Sequence, residues 1–321
     1  MSQGVGPAVR VAEALDAVLI GQRGAVEGLL AGYMAGGHVL LEGPPGVGKT
    51  LLARAFAGAL GAHFARIQFT PDLMPTDVTG TNVFDPASRT FKLVRGPLFT
   101  QVLMADEINR TPPKTQSALL EAMQEGQATI DGVSHPLEAG FFVIATQNPV
   151  EFEGTYPLPE AQLDRFLLRV EIALPDAQAE TEIYRRAVRQ ELAGWGGRGI
   201  EAAPVLDAAE VQALRAASRE VHVTDELLDY LQRLAAAVRR SPHVELGVSP
   251  RGALAALEAG RAMALLAERD FLLPDDLKKA LVPAWAHRII LSAESELEGH
   301  SARSVVEDAA RTVEVPHQGA R

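Results

Sequence analysis

Apolar runs of strand length alternate with amphipathic stretches from Val39 to Ile172, after which helical spacing alone continues. The strand candidates are Val39 to Leu41, His63 to Phe69, Gln101 to Ala105, Phe141 to Thr146 and Phe166 to Ile172. Short apolar runs separated by helical periods predict a parallel sheet covered by helices on both faces. Beyond Pro175 the stretches Ala177 to Gln190, Asp207 to Val221, Asp225 to Ser241, Pro250 to Glu268 and Pro274 to Leu281 keep helical spacing, so the second part reads as all-helical. Asp207 and Glu210 stand at capping-box spacing, Thr224 precedes the acidic turn Asp225-Glu226, and Gly194, Gly196, Gly197 and Gly199 separate the first two helices. The expected division is an α/β domain over 1–175 and a small helical domain over 176–321, with the polar tail beyond Glu294 partly disordered.

Two segments interrupt the α/β pattern. Thr81 to Phe84 and Thr90 to Leu93 flank Asp85-Pro86-Ala87-Ser88 and predict a hairpin on a long loop. Ala128 to Ile130 and Val133 to His135 flank Asp131-Gly132, the strongest short hairpin signal. On pattern alone these insertions suit solvent-exposed decoration as well as function.

The first strand runs into Gly43-Pro44-Pro45-Gly46-Val47-Gly48-Lys49-Thr50, which fills every fixed position of G-x-x-x-x-G-K-[ST]. A triphosphate needs backbone N–H groups turned around it, and glycine permits the dihedrals and close approach this requires. The following helix, expected over Lys49 to Leu60, adds the positive end of its dipole. Lys49 reaches the β- and γ-phosphates, and the Thr50 hydroxyl suits Mg²⁺. The nucleotide-contacting candidates are Gly43 through Leu51, joined by Ile20 and Gly21. These last two precede the helical stretch Arg23 to Ala35 and suit the sandwiching of an adenine, although helix capping explains them almost as well.

Leu103 to Glu107 is an apolar strand ending in two carboxylates that face different directions, because side chains alternate about a strand. Asp106 suits the Mg²⁺ shell, and Glu107 suits polarisation of the water that attacks the γ-phosphate. The pair also suits a solvated helix start, and its place downstream of a phosphate loop favours the chemical reading. The next apolar strand leads to Gln147-Asn148-Pro149, where the Asn148 amide can hold the γ-phosphate or the water, or simply mark a turn. Phosphoryl transfer spreads charge that a guanidinium can stabilise. Arg165 lies far along the sheet from the phosphate loop and suits a neighbouring subunit's nucleotide; Arg251 opens a helix of the second domain and suits coupling of the γ-phosphate to lid movement. Either arginine taken singly also suits a surface salt bridge, and Arg95, Arg110 and Arg169 are weaker candidates.

Composition narrows the surroundings of this chemistry. The 321 residues are 47% hydrophobic, enough for a sizeable core in two domains. With no cysteine, disulfides, thiolate zinc sites and thiol catalysis are excluded. No apolar stretch approaches a membrane span and the start lacks a secretory pattern, so a cytoplasmic location is expected. A net charge of -11 disfavours general attraction to nucleic acid and points to protein partners.

Taken together these residues resemble the MoxR family of AAA+ ATPases. Gly43 to Thr50 is similar to its Walker A and Leu103 to Glu107 to its Walker B, and Asp106 to Met123 resembles the family's most distinctive stretch almost position for position. Asn148 falls in the sensor 1 position, Arg165 within Glu160 to Phe166 in the finger position, and Arg251 within Gly247 to Arg251 in the sensor 2 position. Asp270 to Asp276 and His287-Arg288-Ile289 resemble the closing lid segment; the resemblance covers about Val18 to Leu291. It implies an ATP-hydrolysing hexameric ring, with Mg²⁺, that remodels protein complexes in a chaperone-like way, often with partners carrying a von Willebrand factor A domain. Each protomer would be a P-loop AAA+ parallel-sheet domain followed by a small helical lid. The hairpins would be its helix-2 and pre-sensor-1 insertions, facing substrate or pore. A nucleic-acid motor and a metal-chelatase-type ATPase subunit remain alternatives, and guanine-nucleotide and cassette-transporter signatures are missing from the sequence.

Overall fold

The computed structural model describes residues 5–148, 155–189 and 203–316. Helices α1 (Val5–Val18) and α2 (Arg23–Met34) precede β1 (His38–Glu42), which leads into α3 (Lys49–Ala59) and β2 (Phe64–Gln68). A short α4 (Pro75–Thr79) and the hairpin β3 (Gly80–Asp85) and β4 (Thr90–Arg95) come next, then β5 (Val102–Asp106), α5 (Pro113–Glu125), a second hairpin β6 (Gln127–Ile130) and β7 (Val133–Pro136), and β8 (Phe142–Gln147). After α6 (Glu160–Leu163) and β9 (Phe166–Glu171), the chain forms α7 (Ala177–Val188), α8 (Ala208–Glu220) and α9 (Asp225–Arg239). It closes with β10 (Val244–Leu246), α10 (Pro250–Leu266), α11 (Pro274–Trp285), β11 (Ile290–Leu291), α12 (Ala293–Leu297) and α13 (Ala302–Thr312).

The expected α/β architecture is present: a five-stranded sheet in the order β2-β5-β8-β1-β9, with every pairing parallel. Successive residues of each strand feed opposite faces. Val39, Leu41, Met104, Ile144 and Val170 join one apolar cluster, built with α1, α2, α3 and the later helices. Leu40, Leu103, Ala105, Val143 and Ala145 join the other, against α5. Both hairpins form as expected, and Asn82 Nδ2 donates to Asp131 Oδ2 at 2.7 Å, tying one to the other.

The helical domain carries the expected helices, and Asp207 and Glu210 exchange their capping-box bonds at 2.8 and 3.0 Å. Thr224 stands at the N-cap of α9 without a side-chain cap bond. One expectation is corrected. This part is not all-helical, because β10 and β11 pair antiparallel; strands of three and two residues are too short to show alternation. Within the tail beyond Glu294, α13 buries Val305, Val306 and Ala309 in the main core, an apolar stripe sufficient to dock an otherwise polar helix. The α1 helix, absent from the sequence reading, is anchored likewise by Ala8, Val11, Ala12 and Leu15. Pro149 and the glycines from Gly194 to Gly199 lie outside the described residues.

Candidate active site

At the C-terminal ends of β1, β8 and β5 the structure gathers the phosphate loop, Asn148 and the Asp106-Glu107 pair in adjacent strand tips. With strands about 4.8 Å apart, the β1 and β5 tips are separated by about 10 Å. Gly46 and Gly48 hold φ of 85° and 93°, the left-handed region that favours glycine, and Gly48 is the N-cap of α3. A side chain at Gly43 would bring a Cβ to 2.4 Å from the Ile172 carbonyl oxygen, so only glycine fits under the neighbouring strand end. The Lys49 ammonium donates to the Gly43 carbonyl at 2.6 Å, which places it across the loop it is to serve. Thr50 begins the second position of α3, and Val47 and Leu51 pack against the main core. Pro45 is exposed and Pro44 half-buried.

Ile20 and Gly21 lie in the turn between α1 and α2. Gly21 has φ 74° and would meet Ala179 of α7 at 2.7 Å were it given a Cβ, while the buried Gln22 donates to the Ala173 carbonyl at 2.9 Å. The turn is thereby fixed against the segment leading out of β9. Leu19 also reaches toward the phosphate loop, its Cδ2 3.8 Å from the position of a Gly48 Cβ.

The two carboxylates are oriented separately, Asp106 as the last residue of β5 and Glu107 by the left-handed turn that follows it. Asp106 is buried; Thr146 Oγ1 donates to its Oδ1 at 2.6 Å, and Arg66 Nη2 and Nε donate to its Oδ2 at 2.6 and 3.1 Å. Glu107 sits at φ 56° and its N–H donates to the same Thr146 hydroxyl at 2.9 Å. Its Oε2 accepts from Gln68 Nε2 at 2.7 Å and Arg110 Nη1 at 3.0 Å. Gln68 ends β2, on the side of β5 away from the phosphate loop, so Glu107 is held back from that loop in this state. Arg66, Gln68 and Thr146 were not found from the sequence. Asn148 is buried, and the neighbouring Gln147 Oε1 has no hydrogen-bond partner, leaving an unsatisfied polar group at the tip of β8. Burial pushes the Glu42 carboxyl, just before the phosphate loop, above its ordinary range against the pull of Arg169, which lies 3.6 Å away.

Arg165 and Arg251 lie elsewhere. Arg165 directly precedes β9, whose Phe166 is level with His38 at the start of β1, and both arginines line a cleft of about 290 Å³ with Gly37, His38, Glu258 and Arg288. Asp164 organises it, pairing with Arg251 at 3.6 Å and with the buried Arg288 at 2.6 Å. Burial lowers the Arg288 pKa while Asp164 opposes that shift, and Arg288 further donates to the carbonyls of Phe166 and Leu167. From His38 to Glu42, β1 alone spans about 13 Å, so the two arginines lie at the far end of that strand from their own phosphate loop. Of the weaker candidates, Arg110 pairs with Glu107, Arg169 with Glu42, and Arg95 lies over the Phe99 ring at 4.9 Å.

Residues 38–168 match the ATPase family associated with various cellular activities (AAA), and residues 236–309 match the AAA lid domain. Fold and site therefore define an AAA+ nucleotide-binding protein with its helical lid. Among relatives, the chain is 43% identical to the uncharacterized protein YeaC of Bacillus subtilis, over 96% of this chain and 95% of the relative. It is 39% identical to Chaperone MoxR1 of Mycobacterium tuberculosis, over 94% of this chain and 81% of the relative. Protein MoxR of Paracoccus denitrificans is 32% identical over 94% of each chain. A crystal structure of a provisionally assigned ATPase from Cytophaga hutchinsonii superposes with a TM-score of 0.87 at 37% identity, covering 97% of this chain and 96% of that one. The chain belongs to the MoxR family of AAA+ ATPases.

Proposed function

We propose that this chain hydrolyses ATP within a homo-oligomeric ring, a hexamer, and uses the energy to remodel or activate protein complexes. The observation that carries this reading is the separation of two half-sites: phosphate loop and carboxylates at one end of the sheet, Arg165 and Arg251 at the other. A complete arginine-assisted site then needs a neighbour, and both arginines act in trans. Domains meeting near residue 175 would let the lid carry Arg251 against the adjoining protomer.

The residues fit ATP with Mg²⁺: a glycine cradle with left-handed dihedrals, an ammonium already across it, a buried carboxylate, and an unsatisfied amide oxygen beside Asn148. Thr50 and Asp106 would hold Mg²⁺, which when bound neutralises charge on the phosphate oxygens. Asp106 must first exchange its bond to Arg66. Lys49 would leave the Gly43 carbonyl for the β- and γ-phosphates, while the fixed turn at Ile20 and Gly21 would hold the adenine. Glu107, released from Gln68 and Arg110, would take the proton of the attacking water, and Asn148 would position that water or the γ-phosphate. Arg165 and Arg251 of an adjoining protomer stabilise the charge that develops.

The exposed Val83, Phe84, Phe91 and Val94 on the first hairpin, bound to the second through Asn82 and Asp131, suit contact with a protein client. The name of the mycobacterial relative, a chaperone, supports the same reading. A von Willebrand factor A domain protein is the partner class to test first. Among the described residues no helix is long and apolar enough to cross a membrane, and we place the ring in the cytoplasm.

Replacing Glu107→Gln tests the assignment. Steady-state turnover should fall by roughly 10² to 10⁴, while Mg²⁺-ATP binding persists and a client stays trapped for pull-down. Turnover at the parental rate would show that another group activates the water.

A further inference from the structure

Three side chains outside the nucleotide site converge where the last two helices meet the lid. His243 lies in the turn between α9 and β10; Glu298 and His300 flank Gly299 in the turn between α12 and α13. The two imidazoles stack with centroids 3.8 Å apart and planes 29° from parallel, and His300 Nε2 is 3.7 Å from Glu298 Oε2. One donor atom from each residue lies within 4.8 Å of those of the others.

We propose that His243, Glu298 and His300 form a site for a divalent transition-metal ion of the zinc class, which clamps α13 to the rest of the lid. Two imidazole nitrogens and one carboxylate make a borderline donor set that suits Zn²⁺, whereas Mg²⁺ and Ca²⁺ prefer oxygen alone. Three protein ligands leave a fourth, tetrahedral position for water. Donors at about 2.1 Å from one ion stand about 3.4 Å apart, and an imidazole binds in its own plane, so binding needs a rotation that unstacks the two rings until both planes meet at the ion. Glu298 and His300 are exposed and free to make it; the half-buried His243 need not move.

The surroundings orient the set in the way metal sites require. His243 Nδ1 is engaged by Ser295 Oγ at 3.0 Å, which leaves Nε2 for the ion. Ser295 is buried and accepts in turn from Ser292 Oγ at 2.9 Å. Backbone bonds from Ser292 N to the His243 carbonyl and from His300 N to the Ser295 carbonyl, each 3.0 Å, fix the two turns against one another. Gly299, at φ 86°, lets the chain reverse tightly enough to bring Glu298 and His300 to the same side. What the ion would secure is visible nearby: α13 buries Val305 and Val306 in the core and reaches β9 through the 2.7 Å pair Arg303–Glu171.

The test uses the full chain, stripped with a chelator and free of nucleotide, titrated with zinc chloride by calorimetry. One zinc per chain and a zinc-dependent rise in Tm are expected. Co²⁺ in its place should give the visible absorption of a tetrahedral N/O site. Glu298→Gln and His300→Gln change exposed side chains, so both variants should keep the zinc-free Tm of the parent while losing zinc affinity on the order of tenfold or more. If the parent takes up no stoichiometric zinc, or if His300→Gln binds it as tightly as the parent, the site does not exist as drawn.

Discussion

His38 shows how one residue ties sequence to stability. Its Nδ1 accepts from the Val143 N–H at 3.0 Å, so the neutral ring carries its proton on Nε2, which donates to the Met123 carbonyl at 3.1 Å. Burial lowers its pKa to about 4, with Arg215 adding to the shift and the Met123 bond opposing it. The unfolded chain therefore binds more protons between pH 6.5 and about 4, and the fold loses stability as pH falls through that window. The loss attributable to His38 is about 3 kcal/mol. Urea unfolding from pH 7 to 4.5 should show the gap between the parent and His38→Gln narrowing as the solution is acidified; parallel curves would refute the linkage. Legibility at this scale followed contiguity in the chain. Gly43 to Thr50 and Asp106-Glu107 carry their chemistry in consecutive residues, so a motif suffices to read them. Arg66, Gln68 and Thr146 act on those carboxylates from neighbouring strands, and the register of β2 and β8 against β5, which brings them there, is written in no local pattern.

Elements were legible wherever burial imposed a period. All five sheet strands came out within a residue or so, the inner β1, β5 and β8 because both of their faces are covered and the edge strands β2 and β9 on shorter apolar runs, and the hairpins because their turns are specified by Asp131-Gly132 and by the Asp85 to Ser88 run. The packing of α2 on the sheet was not legible, since its small residues read as weak helix formers. A Cβ at Gly32 would stand 2.3 Å from Val39 Cγ2, and one at Gly28 2.7 Å from Val170 Cγ2; α2 lies directly on β1 and β9 because those side chains are missing. Gly24, in the same helix, has nothing within 4 Å of such a position. Gly32→Ala should destabilise by about 1 to 3 kcal/mol through overpacking, whereas Gly24→Ala should be neutral or stabilise by up to about 1 kcal/mol through helix propensity. Thermal unfolding of the pair checks this, and equal Tm shifts would remove close approach as the reason for glycine at residue 32.

At the scale of the whole molecule, the polarity of the parallel sheet does the sorting. All strands run the same way, so everything attached to their C-terminal tips gathers around the phosphate loop and whatever precedes β9 is carried to the opposite end. The lid strengthens the separation, because Arg288 and Arg251 are fastened to Asp164 at that far end and not over the phosphate loop. The sequence reading anticipated this for Arg165 from its distance along the strand; for Arg251 it did not, because the docking of the lid depends on contacts between distant segments. A functional consequence can be measured by mixing. Arg165→Ala alone should lower turnover steeply, toward the 10³-fold or greater effects of arginine fingers, and Lys49→Ala should abolish it by removing the charge on the phosphates. In a ring that combines the two, some seams join an intact phosphate loop to an intact arginine. Turnover in the mixture should then exceed that of either variant by itself, peak at intermediate ratios and vanish on dilution to protomers. A mixture whose activity is only the weighted sum of its parts would place Arg165 outside its neighbour's site and leave the separated half-sites without a catalytic meaning.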